Sequence, residues 1–201
     1  MYKRVAVFDF DGTITRKDTL IEFIRFAKGS AVLYWGMLLH LPWLILMKLH
    51  LYDNSKTKER VFAWFFRGMP IKHFNKLGHE FYQTQADKLL YSDARQQIHD
   101  HHQKGDLVVI LSASIENWVQ PFASALQAEG LLCTQAEVKD DKLTGRFSTP
   151  NCYGAEKVRR LKEWLKTKSI EHPYIIAYGD SRGDKELLLF ADESHYKQFK
   201  K

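Results

Sequence analysis

The run Val5-Ala6-Val7-Phe8-Asp9-Phe10-Asp11-Gly12-Thr13 constrains this chain more than any other. Its apolar, β-branched start predicts a buried strand. That strand delivers two carboxylates, two residues apart, into a Gly-Thr turn. Alternate strand residues share a face, so Asp9 and Asp11 begin on the same side. The turn then breaks the regularity and leaves both acids at the carboxyl end of a strand, where α/β folds keep their sites. As architecture, Asp-Gly is ordinary turn chemistry. As chemistry, two close carboxylates repel unless a cation or a shared proton compensates. The pair suits one nucleophile, one general acid/base and a divalent metal. A carboxylate accepts a phosphoryl group as an acyl phosphate, and a neighbouring acid protonates the leaving oxygen and later activates water. Mg²⁺ takes few carboxylates plus phosphate oxygens and water, which fits so small a cluster.

Three further segments supply what such a mechanism needs. Leu107-Val108-Val109-Ile110-Leu111 reads as a second buried strand, ending in Ser112-Ala113-Ser114 before a helical pattern. A hydroxyl and free amides at that junction can hold phosphate oxygens, although Ser112 alone also reads as a helix N-cap. Gly154-Ala155-Glu156-Lys157 opens a cation-rich helix. There Lys157 either belongs to a solvated face or neutralises a nucleophile and the group transferred to it. Tyr174-Ile175-Ile176-Ala177-Tyr178 is a third strand, followed by Gly179-Asp180-Ser181-Arg182-Gly183-Asp184. Asp180 stands where a strand-end metal ligand belongs, with Asp184 in support. Singly, both acids read as helix caps.

In this order and placement the motifs resemble the haloacid dehalogenase superfamily, in the branch that contains phosphoserine phosphatase. Asp9-Phe10-Asp11-Gly12-Thr13 matches the first motif, Ser112 the second, Lys157 the third, and Gly179-Asp180 with Asp184 the fourth. The resemblance implies an α/β, Rossmann-like core with a parallel sheet and an all-helical cap inserted after the first motif. It implies a phosphatase in which Asp9 is phosphorylated and Asp11 acts as acid and base. Mg²⁺ is then held by Asp9, the Asp11 carbonyl and Asp180. Ser112, Ala113 and Lys157 bind the transferred phosphoryl group, and Thr13 and Asp184 support them. The second acid argues against a dehalogenase, which needs no leaving-group protonation by a carboxylate.

Composition sets limits on the alternatives. Cys133 and Cys152 are the two cysteines of the chain, far apart, and are expected as reduced thiols in a reducing compartment. A thiol-based phosphatase needs an arginine six positions after its cysteine, where Cys152 is followed by Val158. The N-terminus runs directly into the first strand, so no signal peptide is expected and a cytoplasmic location is. The formal net charge of +6 favours anionic partners. No nucleic-acid-binding module is recognisable, which argues against nucleic acid. Cations cluster at 157–168 and at Lys197, Lys200 and Lys201. His99, His101 and His102 lie on a polar helix without metal-ligand spacing.

Between the first and second strands the chain reads as helical. Leu20, Ile24 and Ala27 form one stripe, Phe62, Phe65 and Phe66 another, and 71–90 a longer helix after Pro70. This divides the chain into a core, 1–15 with 91–201, and a cap, 16–90. A β-hairpin is expected over 137–147. Phosphoserine phosphatase holds its substrate amine with a glutamate just after the first motif. Asp18 stands at the matching place here and is the candidate specificity residue. That enzyme also follows its motif-two serine with two glycines, whereas Ala113 and Ser114 follow Ser112.

The cap also holds the run 31–47, which carries no formal charge and is closed by Lys48 and His50. Its length reaches the lower edge of a membrane span, about 17 residues. A helical hairpin is expected there, buried in the cap or dipping into a membrane interface. Tyr34, Trp35 and Trp43 suit headgroup depth, and Lys48, Lys56, Lys58 and Arg60 suit anionic lipid. Bacterial phosphatidylglycerophosphate phosphatases of the same branch are similar in having a hydrophobic cap insertion. The expected substrate is a phosphorylated small molecule or a lipid headgroup, with peripheral membrane contact through 31–47. The reading from another class is a membrane-binding module that kept the fold without the chemistry.

Overall fold

A computed structural model describes residues 3–49 and 51–199; His50, Lys200 and Lys201 lie outside the described residues. Strand β1 (Arg4–Asp9) is followed by helices α1 (Thr19–Lys28), α2 (Ser30–Lys48), α3 (Asn54–Phe66), α4 (Ile71–Leu89) and α5 (Ser92–Gln103). Next come β2 (Leu107–Ile115), α6 (Glu116–Ala125), β3 (Gly130–Thr134) and the hairpin β4 (Ala136–Lys139) and β5 (Lys142–Phe147). Helix α7 (Ala155–Thr167), β6 (Tyr174–Gly179), a 3₁₀ turn (Arg182–Asp184), α8 (Lys185–Phe190) and β7 (Glu193–Tyr196) complete the order. Five strands form a parallel sheet in the order β3-β2-β1-β6-β7.

The central position of β1 follows from its sequence. Val5 and Val7 pack with Val109, Leu111, Ile175 and Ala177 on one face of the sheet. Ala6 and Phe8 pack with Val108, Ile110 and Ile176 on the other. A strand buried on both faces reads as a continuous apolar run, as β1, β2 and β6 do. The edge strand β7 carries no such run. The polar sequence Glu193-Ser194-His195-Tyr196 becomes a strand only because β6 offers a free edge.

The segment before α1 and the segment after α4 lie side by side. Thr15 bridges Leu90, Arg16 N donates to the Leu89 carbonyl (2.7 Å), and Tyr91 N donates to that of Ile14 (3.0 Å). The helices between are tied together by aromatic rings. Phe23 of α1 stacks on Trp118 of α6 (4.8 Å between centroids) and meets Phe66, Phe74 and Phe81.

The hairpin expected over 31–47 is not formed: the segment is the single helix α2, with Pro42 in its interior. A hairpin needs turn residues, and the one glycine in the run serves packing instead. A Cβ at Gly36 would lie 2.4 Å from Phe65 Cζ, so its absence lets α3 close against α2. Inner residues on both sides of Pro42, among them Leu33, Met37 and Leu44, join the core and hold the helix together through the missing hydrogen bond. Only Leu33 and Gly36 of α2 are buried.

Candidate active site

Residues Val5, Val7 and Asp9 share one face of β1, the face that α7 covers. Lys157, in the first turn of α7 and 2% exposed, therefore meets the Asp9 carboxylate from above. Its ammonium donates to Asp9 Oδ1 (2.5 Å), Asp184 Oδ1 (2.6 Å) and the Leu111 carbonyl (3.3 Å). All three of its protons are thereby used. Burial by itself would lower the lysine's pKa, but the Asp9 and Asp184 charges outweigh it and hold the ammonium protonated. Burial pushes the Asp9 carboxyl up to about 7, even against the opposing pull of Lys157. Asp184 is held below its ordinary range, because Lys157 and Ser181 outweigh its own burial.

Asp184 does a second job with its other oxygen. Oδ2 accepts from Asp180 N (3.2 Å), Ser181 N (3.0 Å) and Ser181 Oγ (2.8 Å), fixing the loop after β6. This places carboxylate oxygens of Asp9, Asp180 and Asp184 within 4.8 Å of one another. Gly12 closes the opposite wall at φ +84°, where a Cβ would lie 2.6 Å from Asp180 Oδ2. The Thr13 hydroxyl in the same turn is buried and has no hydrogen-bond partner among the described residues. Three carboxylates around one ammonium leave negative charge in excess, and the donors are all oxygens. That set fits a hard divalent cation.

Asp11 faces the other way. Its Oδ1 accepts from the Thr19 amide (2.7 Å) and Thr19 Oγ1 (2.6 Å) at the start of α1. Its Oδ2 accepts from Ser114 Oγ (2.6 Å) and Ser112 Oγ (3.2 Å). Trp118 Nε1 donates to Thr19 Oγ1 (3.1 Å) and fixes that hydroxyl in turn. Four donors from two elements, α1 and β2, thus hold the second acid beside the first.

A cavity of about 370 Å³ opens over these groups. Asp9, Asp11, Asp18, Ala113, Lys157, Asp180 and Asp184 all line it. Both serine hydroxyls donate to Asp11, but Ser112 is fully buried and Ser114 is the serine that lines the cavity. Asp18 lines the entrance but caps α1, accepting from Leu20 N (2.9 Å) and Ile21 N (3.4 Å). Sequence reasoning missed Ser114, Thr19 and Trp118. Ser114 was within reach, because a serine two positions after Ser112 on a strand shares its face. Trp118 and Thr19 meet only through the fold.

Residues outside the cluster take ordinary structural roles. Cys133 and Cys152 are free and buried, and burial pushes both thiols up, away from the thiolate that nucleophilic attack needs. His101 bridges Asp106 (2.8 Å) and the Tyr178 hydroxyl (2.9 Å) inside the core.

The model of the haloacid dehalogenase-like hydrolases matches residues 6–189, from the first strand to α8. The chain belongs to this family. It is 33% identical to protein CicA of Caulobacter vibrioides over 98% of this chain and 86% of that one. It is 27% identical to the probable phosphatase Rv3661 of Mycobacterium tuberculosis over 92% of this chain and 66% of that one. A substrate-bound phosphoserine phosphatase superposes with a TM-score of 0.71 at 18% identity, covering 98% of this chain and 86% of that chain. The fold is thus shared with phosphoserine phosphatase, and the chain is a haloacid dehalogenase-like hydrolase.

Proposed function

We infer that the protein is a Mg²⁺-dependent phosphomonoester hydrolase working through a phospho-aspartyl intermediate on Asp9. The observation that carries this reading is the Lys157 ammonium bound to Asp9 Oδ1 at the strand end, with Asp180 and Asp184 beside it. A carboxylate oxygen of Asp9 attacks phosphorus and the ester P–O bond breaks. Asp11 gives its proton to the leaving alkoxide, then takes one from the water that attacks the acyl phosphate, releasing inorganic phosphate. Lys157, Ser114 and the Ala113 backbone would bind the transferred group, with Ser112 and Thr19 orienting Asp11. Asp9, Asp180 and the Asp11 carbonyl would hold Mg²⁺, oriented by Asp184, and the ion would neutralise charge on the phosphoryl oxygens.

The helices over 16–90 form the cap of this enzyme and decide its substrate. A lipid phosphate monoester such as phosphatidylglycerophosphate is favoured by the apolar surface of α2 beside the cavity helix α3. The enzyme then works at the cytoplasmic face of a membrane, in peripheral contact with it. A soluble ester of the phosphoserine type is the second reading, favoured by the fold likeness to phosphoserine phosphatase. Asp18 weighs against it, because one of its carboxylate oxygens serves to cap α1.

The test is turnover of p-nitrophenyl phosphate with and without Mg²⁺, in wild type and Asp9→Asn. Equal activity in the two proteins would remove the nucleophile assignment. Phosphoserine set against phosphatidylglycerophosphate in detergent micelles then separates the two substrate classes.

A further inference from the structure

Helix α2 presents an apolar face to solvent along its whole length. Tyr34, Trp35, Leu38, Leu41, Ile45 and Leu49 are each between 46% and 65% exposed. Positions 34, 38, 41, 45 and 49 follow helical spacing and make one stripe. At 19 residues the helix is about 28 Å long, from 1.5 Å per residue. A continuous apolar surface of that extent on a protein of this size marks a contact surface.

Charge identifies what the surface meets. From Phe23 to Tyr52 the sequence contains no Asp or Glu, while Arg25, Lys28 and Lys48 lie within it. Helix α3 adds Lys56, Lys58 and Arg60, the last stacked over Trp43 at 4.3 Å. Glu59 is turned away, accepting from the Phe147 amide (2.8 Å) of the hairpin. A second copy of the same face would bring only more cations and no carboxylate from this stretch. An anionic lipid surface complements both the apolar stripe and its basic flanks.

The packing also sets the orientation. The inner side of α2 is fixed to α3, where Trp64 and Phe65 close on Gly36. A helix crossing the bilayer would drag Glu59 and Arg60 of α3 and Glu22 and Arg25 of α1 into hydrocarbon. Lying in the interface requires none of this. Helix α3 meanwhile lends Lys58 and Phe62 to the cavity wall, one helix away from α2.

We propose that α2 is an in-plane seat on an anionic phospholipid surface, with Trp35, Leu38, Leu41 and Ile45 inserted and the flanking lysines and arginines on the headgroups. The seat deepens the lipid-phosphate reading and rests on it for what reaches Asp9, though binding itself needs no chemistry there. The experiment is flotation of the full chain with phosphatidylglycerol-containing vesicles and with pure phosphatidylcholine vesicles. Wild type and Asp9→Asn should float equally with the anionic vesicles, less at high salt, with a blue shift of tryptophan emission that Trp35→Phe diminishes. Leu38→Glu/Leu41→Glu should lower vesicle partitioning at least about tenfold and keep p-nitrophenyl phosphate turnover within about twofold. Equal flotation of wild type and this double variant would overturn the seat, as would wild type failing to float. A wild-type dimer in sedimentation that the double variant splits, without vesicle binding, would assign the face to a second copy instead. Flotation as expected with no hydrolysis of the lipid ester would leave the seat standing and remove the lipid as substrate.

Discussion

The strand-end cluster and helix α2 lie within one small protein and obey opposite rules. At the strand ends, buried polar atoms are densely paired: Lys157 uses all its protons, and both oxygens of Asp11 and of Asp184 are engaged. On α2 a large apolar surface is exposed among the described residues. The first arrangement is costly to build and serves to place charge before a reaction begins. The second wastes hydrophobic driving force unless something covers it. Both regions spend stability, one on unlike charges in a dry site and the other on apolar groups in a wet one. The first finds most of its partners within the chain and lacks only the cation that would offset its excess carboxylate charge.

The largest effect should come from the centre of the cluster. Lys157→Met leaves Asp9 and Asp184 facing each other with no counter-charge. It should cost about 3–5 kcal/mol of stability and abolish turnover. Chemical denaturation checks the first part, and a Lys157→Met protein as stable as wild type would break the account of the ion triad. Gly12→Ala forces a Cβ into Asp180 and strains a left-handed turn. It should lower kcat by roughly two orders of magnitude, as misplacement near the reacting atoms does. Calorimetry should meanwhile find the protein folded.

Thr19→Val is the sharper probe, because Thr19 does not line the cavity and reaches the chemistry only through the side chains of Asp11 and Ser114 that it touches. It removes one donor to Asp11 and the acceptor for Trp118 Nε1. A fall in kcat of about tenfold or more with little change in KM is expected for a group that positions the acid. Steady-state kinetics with Thr19→Ser, which keeps the hydroxyl, should return most of the loss.

The pH dependence of the metal-free protein has a definite sign. Asp9 titrates near 3.8 when unfolded and about 7 when folded. Its contribution is therefore fully present below pH 3.8 and is lost as pH rises through 7. Asp184 acts oppositely, but its shift is downward, so its contribution changes below the ordinary carboxylate range and leaves the window between to Asp9. Stability of the chelated protein should fall from pH 4 to 7, and Asp9→Asn should flatten that slope. The smallest effect belongs to α2: Leu38→Glu/Leu41→Glu should shift thermal stability by no more than about 0.5 kcal/mol per site, as surface changes do. A loss of several times that would mean the face is packed in solution.

The sequence by itself determined the chemistry-bearing strands. In β1, β2 and β6 an apolar run ends in an acid, a hydroxyl or an Asp loop, and period-two burial follows from local pattern alone. The helical stretch between β1 and β2, the hairpin near 140 and the separate places of Asp9, Asp180 and Lys157 were legible for the same reason: their signals are contiguous. Only the tertiary structure decided the rest. Edge strand β7 exists because β6 presents a free edge. Ser114, Thr19 and Trp118 converge on Asp11 from separate elements. The run 31–47 is one helix because packing on α3 uses Gly36 and outweighs Pro42. Its exposure could not be read locally either, since an apolar helix has the same sequence whether neighbours bury it or leave one face open.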